Sequence, residues 1–273
     1  MGFLAAVCLG CLWRSWVLPW QNQRRAVDLI RAHNGMGGVE FGEYRYEPMD
    51  EFPFWKRTLA DWLGRDSVAR VALAFSDGTG ELIDISCWKD LPSVERVSFD
   101  RALIENLSPI AGFNRLKSFS IYQCGCTPPK GKRGLEVLGT CPNLESVRLT
   151  SSQFPMNDEV LASICKARNL REFEFATWDC TKLDPLLNLH KLETLKVWLD
   201  TPPYVVDLSA IGDLSILREL WLYVSSRNDV EYDFSFLRRL VELKTFTIHG
   251  RFTAEEQKEI REWLPDSCDV VFD

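Results

Sequence analysis

A nine-residue pattern of apolar and polar residues recurs along most of the chain. Its clearest copy runs from Leu189 to Val197, where apolar residues occupy the first, fourth, seventh and ninth positions. A spacing of three residues is typical of a helical turn, and the spacing of two at the end of each copy is typical of a short strand. The seven clear copies have the following apolar residues: Leu91, Val94, Val97 and Phe99; Phe113, Leu116, Phe119 and Ile121; Cys141, Leu144, Val147 and Leu149; Ala167, Leu170, Phe173 and Phe175; Leu189, Leu192, Leu195 and Val197; Leu214, Leu217, Leu220 and Leu222; Leu240, Leu243, Phe246 and Ile248.

Weaker copies extend the array at both ends. They consist of Val68, Val71 and Leu73 and of Leu264, Val270 and Phe272. The third apolar residues of successive copies lie 22 to 28 residues apart. One strand and one return segment of this length cannot bury an apolar edge alone, so neighbouring units are expected to stack into a continuous core.

A doubly wound α/β domain is the alternative for apolar runs of this kind. It would require longer strands, and helices with an apolar stripe over about ten or more residues. Most return segments between the copies are too short for such helices. The pattern therefore favours a repeat solenoid.

The repeated pattern resembles that of the leucine-rich repeat family, over roughly residues 66–272. The resemblance implies an α/β fold, a curved solenoid with a parallel β-sheet on its concave face. The family usually places Asn or Cys three residues after the last strand leucine, where the side chain satisfies backbone groups in the turn. Cys124 fits this position, whereas the other copies have Ala102, Ser152, Trp178, Asp200, Ser225 and Arg251 there. The turns are therefore expected to be irregular.

Two return segments carry clear helix signals. Asn157 is placed to cap a helix that runs to Ala167. Thr253, with Glu256 three residues later, forms a capping-box pattern at the start of a second helix that runs to Trp263.

The first twenty residues contain an apolar run from Phe3 to Trp13. This run is shorter than the ~20 residues that a transmembrane helix needs, but tryptophans and a proline follow it, as at a membrane interface. We expect residues 1–20 to be an N-terminal membrane anchor. A cleaved signal segment and a buried cap segment are the alternatives, and they would make the protein secreted or cytoplasmic.

Residues 21–66 are expected to form a helical N-terminal cap that covers the apolar end of the array. Helices are predicted over 23–33 and about 54–63. The segment resembles the corresponding region of bacterial membrane-anchored leucine-rich repeat proteins through Gln23, Arg24, Ala26, Val27, Gly37 and Gly38. Residues 67–273 then form an irregular leucine-rich repeat domain of about eight repeats.

Composition excludes some kinds of partner and chemistry. The formal charge of -7 and the pI near 5.2 argue against a nucleic-acid partner, which would require a basic face. Two of the nine cysteines, Cys124 and Cys141, occupy a turn position and an apolar position of the repeat, so we expect small buried thiols, mostly reduced. Cys124, Cys126 and Cys141 lack a second pair of ligands at zinc-finger spacing. No metal or cofactor is expected.

The residues that alternate with the strand apolar residues are expected to point onto the concave face. Parallel strands lie about 4.8 Å apart, so equivalent residues on neighbouring strands can touch. An exposed aromatic patch and an adjacent row of alternating charge are predicted, and they consist of Trp198, Trp221, Tyr223 and His249 and of Arg148, Glu174 and Lys196. The alternative is that a flanking loop covers the rings and that the charges form a solvated ladder.

Glu172 and Glu174 lie two residues apart on one predicted strand, a geometry that paired acid and base carboxylates can use. Arg148 and Lys196 are expected to keep both carboxylates ionised. The sequence shows no nucleophile or metal site beside them, so we expect a protein that is not an enzyme. Both glutamates are instead expected to contribute to a binding surface.

These features favour a non-catalytic recognition module, tethered to a membrane, that binds a protein or peptide on its concave face. The predicted ligand-binding residues are Trp198, Trp221, Tyr223, His249, Arg148, Glu172, Glu174 and Lys196. One alternative is an accessory or substrate-recognition subunit of a ligase-type enzyme complex. Another is a purely structural solenoid, which would have no aromatic exposure on its concave face. The sequence does not indicate an oligomeric state.

Overall fold

The computed structural model describes residues 70–273 apart from 75–81, 84, 92–93, 105, 125–133, 151–155, 178, 200–205 and 225–231, together with residues 21 and 25. The predicted anchor at 1–20 lies outside the described residues, and so does all of the predicted cap except residues 21 and 25. Among the described residues, no helix is both long enough and apolar enough to cross a membrane.

Nine parallel strands form one sheet, in the order β1-β3-β5-β6-β7-β8-β9-β10-β11, and a separate small sheet pairs β2 with β4. The third apolar residue of every repeat is in register with its neighbours, from Val71 opposite Val97 to Phe246 opposite Val270. The predicted repeat is therefore confirmed from Val71 to Phe272, and Val68 lies outside the described residues. The strands are β1 (Arg70–Ala74), β2 (Leu82–Ile83), β3 (Arg96–Asp100), β4 (Leu103–Ile104), β5 (Ser118–Tyr122), β6 (Ser146–Thr150), β7 (Glu172–Ala176), β8 (Thr194–Leu199), β9 (Glu219–Val224), β10 (Thr245–His249) and β11 (Asp269–Phe272).

The three-residue spacing of the repeat produces 3₁₀ turns. In the fifth clear copy, the amide of Leu189 donates to the carbonyl of Leu186 at 2.9 Å, and that of Leu192 donates to Leu189 at 3.0 Å. These bonds keep the leucines on one side of the turn, where they enter the core. The 3₁₀ helices span Ser86–Asp90, Ser108–Ile110, Leu135–Thr140, Asp184–Asn188, Ser209–Asp213 and Ser235–Arg239.

The two α-helices predicted in return segments form, α1 at Asp158–Ile164 and α2 at Ala254–Trp263. The side chain of Asn157 accepts a hydrogen bond from the amide of Val160, so the predicted cap is confirmed. The capping box of Thr253 and Glu256 is also confirmed. The first helix is shorter than the sequence suggests, because Cys165 ends it before Ala167.

Aromatic side chains fill much of the core between the sheet and the return segments. Phe119, Phe173 and Phe246 are fully buried at the third apolar position of their repeats. Trp88 stacks on Phe99, with ring centroids 5.1 Å apart. These rings fill a wide core with few residues.

Cys124 satisfies backbone groups in its turn, as the family resemblance implies. Its Sγ accepts a hydrogen bond from the amide of Ala102 at 3.3 Å and donates to the carbonyl of Tyr122 at 3.2 Å. The turns after β3 and β5 are tight, because Arg101 and Gln123 adopt φ values of 52° and 50° in the left-handed region. The buried free thiols of the described core are Cys124, Cys141, Cys165 and Cys180.

Candidate functional site

The concave face consists of the strand residues that alternate with the core residues, and it has three columns that cross the sheet. The observed register confirms the predicted columns, except that Thr150 and Ala176 of the last column lie beyond the paired part of β6 and β7. The first column contains Arg96, Ser118, Ser146, Glu172, Thr194, Glu219 and Thr245. The middle column contains Ser98, Ser120, Arg148, Glu174, Lys196, Trp221 and Thr247, and the last column contains Asp100, Tyr122, Thr150, Ala176, Trp198, Tyr223 and His249.

Three rings of the last column form a continuous stack. The ring centroids of Trp198 and Tyr223 are 4.3 Å apart with planes 4° from parallel, and those of Tyr223 and His249 are also 4.3 Å apart, at 3°. Trp221 lies beside the stack, with its centroid 6.0 Å from that of His249. We call these four residues the aromatic patch. The structure thus brings together the aromatic residues that the sequence predicted to be neighbours.

All four rings of the aromatic patch are half-buried. They are neither part of the core nor fully covered. Stacking on neighbours holds the rings rigidly, and their outer surfaces stay accessible. Rigid, partly exposed aromatic groups of this kind are typical of binding surfaces.

Polar contacts also fix Trp221. Its Nε1 donates to Oε1 of Glu219 at 2.6 Å. The Nζ of Lys196 lies 4.4 Å from the Trp221 ring centroid, which is a cation–π contact. Lys196 therefore occupies its predicted position in the charge row, but its ammonium group contacts the aromatic patch.

Arg148 and Lys196 lie opposite Glu174 in the register, but their closest contacts are with other residues. Arg148 pairs with Glu172 of the first column, with Nη2 2.7 Å from Oε1. Ser146 donates to the other carboxylate oxygen of Glu172 at 2.9 Å. Both carboxylate oxygens of Glu172 thus have bonded partners, so neither is free to exchange a proton with a substrate.

Glu174 has an unusual environment for a carboxylate. It is 9% exposed, and the hydroxyl of Thr150 donates to its Oε1. Within the described part of the chain, no lysine, arginine or histidine nitrogen lies within 4.0 Å of its oxygens. Burial of an ionised group without a cation is costly. Glu174 is therefore a buried carboxylate without a direct ion pair, flanked in the register by Arg148 and Lys196.

The far end of the stack carries a second acidic group. Nδ1 of His249 lies 3.3 Å from Oδ2 of Asp273, whereas its Nε2 is buried without a hydrogen-bond partner. Burial raises the pKa of Tyr223, and the charges of Glu174 and Asp273 raise it further. The patch is therefore flanked by negative charge on both sides.

The half of the concave face on β3 and β5 differs in character. Ser120 donates to the hydroxyl of Ser98 at 2.9 Å. Tyr122 is 47% exposed and belongs to none of the ring pairs among the described residues. This half provides small polar groups where the other half provides stacked rings.

The sequence analysis overlooked a column of charge at the edge of the sheet. The residues directly before the strands bridge consecutive repeats: Lys117 pairs with Glu95 at 3.1 Å, and Glu193 pairs with Arg171 at 2.5 Å and with Arg218 at 3.7 Å. The edge column comprises Glu95, Lys117, Glu145, Arg171, Glu193, Arg218 and Lys244. The signal in the sequence is a charged residue that recurs, at the repeat spacing, directly before each predicted strand.

Within the described residues, no group of three or more histidine, cysteine or acidic side chains is arranged to hold a metal ion. Cys126, one of the cysteines considered for such a site, lies outside those residues.

Comparisons with solved structures identify proteins of the same architecture. Internalin C2 from Listeria monocytogenes aligns with 76% of this chain and 81% of its own, at 16% identity and a TM-score of 0.53. The leucine-rich repeat domain of the type III effector XopL aligns with 91% of this chain and 89% of its own, at 13% identity and a TM-score of 0.46. The internalin InlF from Listeria monocytogenes aligns with 71% of this chain and 65% of its own, at 18% identity and a TM-score of 0.41. No protein-family model matches the sequence, and no curated protein matches it significantly.

The likeness to internalin C2 concerns the fold alone. Together with the nine parallel strands in register, it shows that this protein has the leucine-rich repeat fold. The fold class predicted from the repeated pattern is therefore confirmed. The binding role of the predicted site residues stays a prediction.

Proposed function

We propose that this protein is a non-catalytic recognition module that binds a protein or peptide segment on its concave face, at the aromatic patch. The observation that carries the proposal is the half-exposed stack of Trp198, Tyr223 and His249, with Trp221 beside it. Large aromatic side chains contribute most of the binding energy at many protein interfaces.

The arrangement of the patch also favours binding for an entropic reason. Stacking and the hydrogen bond from Trp221 to Glu219 already restrict the rings, so a partner would immobilise few additional rotamers. Each side chain that is ordered on binding costs about 0.5–1.5 kcal/mol. A preformed patch avoids much of this cost.

The surrounding charges support recognition more than catalysis. Glu172 is occupied by Arg148 and Ser146, and Lys196 lies over Trp221. A general acid or base must be able to exchange a proton with a substrate. The carboxylates of this face act instead as fixed charges that select a partner.

A peptide display library panned against the immobilised full chain provides the test. Selected peptides are then titrated against the wild type, against the triple variant Trp198→Ala, Trp221→Ala, Tyr223→Ala, and against a control triple variant. The control is Ser98→Ala, Ser120→Ala, Tyr122→Ala, which changes the equivalent columns in the other half of the face.

We expect the patch variant to lose at least about 100-fold in affinity, since anchor residues cost about 2 kcal/mol or more each. The control variant should bind like the wild type. Circular dichroism and thermal melting establish that both variants fold. If the selected peptides bind the patch variant as tightly as the wild type, the site lies elsewhere on the molecule.

Membrane attachment through residues 1–20 is a separate proposal, supported by the apolar run from Phe3 to Trp13 and the tryptophans that follow it. We expect the full chain to stay in the membrane fraction after an alkaline carbonate wash and a variant without residues 1–20 to be released. Release of the full chain by the wash would contradict the anchor.

A further inference from the structure

The ring stack of the last column ends abruptly at Trp198. On the neighbouring strand β7, the equivalent position is Ala176, whose methyl group replaces a ring. Within the stack the rings repeat every 4.3 Å, so a flat group above Ala176 would continue it by one step. Among the described residues, Tyr223 is the only ring stacked on Trp198.

The sheet opens beside this position. The paired register of β6 and β7 covers three positions and ends at Arg148 opposite Glu174, whereas β7 and β8 are paired over five and β8 and β9 over six. Thr150 and Ala176 lie beyond the last pair. The slot therefore has Ala176 as its floor, the Trp198 ring as one wall, and the bonded pair Thr150 and Glu174 at its side.

Glu174 gives the slot its charge. On one strand, residues two positions apart point to the same face, so Glu174 and Ala176 are side by side. The carboxylate is 9% exposed and has no cationic partner in the described structure. Glu174 and Asp273 also act together on Tyr223, so the whole stack lies in a negative environment.

The nearby cations of the chain are already engaged. Arg148 is bonded to Glu172 at 2.7 and 2.9 Å, and Lys196 lies over Trp221. Within the described structure, neither therefore forms a direct ion pair with Glu174. The contact of Lys196 also shows that a ring of this patch accepts a cation on its face.

We propose that the slot above Ala176 receives an arginine side chain of the partner, whose guanidinium stacks on Trp198 and pairs with Glu174. This inference rests on the proposed function and specifies the partner's chemistry. A guanidinium is planar, stacks on aromatic faces and donates two parallel hydrogen bonds to a carboxylate. An aromatic group would continue the stack but leave Glu174 without a direct ion pair, and a lysine would pair with Glu174 without the planar stacking.

A titration with single-residue analogues tests this without knowledge of the partner. The isotope-labelled full chain is titrated with N-acetyl-arginine-N-methylamide, and the indole signal of Trp198, assigned by its loss in Trp198→Phe, is followed by NMR. The citrulline analogue is the neutral isostere, and the lysine analogue carries the charge without the plane. We expect a saturable shift with arginine, and affinities at least about fivefold lower with citrulline and lysine.

Three variants locate the contact. Glu174→Gln should reduce the affinity for the arginine analogue to that for citrulline, and Ala176→Phe should abolish the shift by filling the slot. Asp100→Asn, which removes a carboxylate from the other half of the face, should change neither. Equal shifts with arginine and citrulline, or full affinity in Glu174→Gln, would overturn the inference.

The two proposals fail in different ways. Display-selected peptides that depend on the aromatic patch but keep their affinity when arginine is replaced by citrulline leave the proposed function intact and refute the arginine slot. Selected peptides whose affinity does not depend on the patch refute the proposed function, whatever affinities the arginine analogues show.

Discussion

At the scale of single residues, the three glutamates of the concave face differ by their partners. Glu172 is held by Arg148 and Ser146, and Glu219 accepts from Trp221 and, at 3.3 Å, from Thr194. Glu174 has the hydroxyl of Thr150 as its partner among the described residues. The same side-chain type thus serves as an ion-pair partner, as a support for a ring, and as a buried carboxylate without a direct ion pair.

Removal of the Thr150 hydroxyl should destabilise the protein, because this hydroxyl donates to the buried Glu174 carboxylate. We expect Thr150→Val to lower the free energy of unfolding by about 1–3 kcal/mol, because a buried carboxylate would lose its donor. Thr150→Ser keeps the hydroxyl and should change the free energy by less than about 0.5 kcal/mol. Urea denaturation measures both. Equal values for the two variants would show that the hydrogen bond contributes nothing.

The buried cysteines should be unreactive in the folded protein. Burial raises the pKa of Cys124 to about 11 and those of Cys165 and Cys180 to about 12. At pH 8 the reactive thiolate is then at most ~0.1% of each thiol. We expect peptide mapping after iodoacetamide treatment to find these three unlabelled in native protein and labelled in urea. The partly exposed Cys268 serves as the internal control and should react first. Rapid native labelling of Cys165 would contradict its buried position.

At the scale of elements, helix α2 depends on its N-terminal cap. Glu256 Oε2 accepts from the amide of Thr253 at 2.6 Å, and these contacts lower its pKa below the ordinary 4.5. A carboxylate whose pKa is lowered by folding contributes stability above its unfolded pKa and loses it as pH falls through the folded value. We expect Glu256→Gln to destabilise the protein at pH 7 and to have no effect near pH 2.

Substitution of a neighbouring carboxylate distinguishes the capping contact of Glu256 from a general effect of negative charge on the helix. Glu255 lies in the same first turn and also interacts with the helix dipole, but the capping box does not involve it. Glu255→Gln should therefore have a smaller effect at pH 7. Thermal melts of both variants across pH 2–7 provide the measurement. A pH-independent difference between wild type and Glu256→Gln would refute the capping role.

The sheet was predictable from the sequence because its register follows from spacing alone. Leu195, Leu220 and Phe246 stand in one column, as their positions in the repeated pattern require. Every strand turns the same alternate residues outward, so the neighbours of Tyr223 were also predictable. The cap of α2 was predictable because a capping box is a local signal.

The partners of long side chains were not predictable in the same way. Arg148 lies directly opposite Glu174 in the register, yet it pairs with the diagonal neighbour Glu172. Lys196 could meet Glu174 on the adjacent strand, and it lies over Trp221 instead. Several rotamers of these side chains reach different neighbours, and differences of a few tenths of a kcal/mol decide between them. The alternating pattern does not encode those differences.

At the scale of the whole molecule, each repeat contacts mainly the repeats before and after it. The nine strands pair in chain order, and the edge column joins consecutive repeats through pairs such as Lys117 with Glu95. These pairs are partly exposed, so each contributes about 1 kcal/mol at most. The stacking of the repeats is therefore stabilised mainly by the column of buried apolar residues.

A cavity in the middle of the array should therefore weaken it locally. Leu195 is fully buried between Phe173 and Leu220, and Leu195→Ala should cost about 2–5 kcal/mol. Since stability in a solenoid is nearly a sum of repeat and neighbour terms, hydrogen exchange should accelerate most in β7, β8 and β9 and less in β3. Val271→Ala, at a 41% exposed position on β11, is the control and should leave the exchange of β8 unchanged. Equal acceleration of exchange in all strands of Leu195→Ala would show that the solenoid unfolds as one cooperative unit. In that case the strands of the aromatic patch could not unfold locally while the strands with small polar groups stay folded.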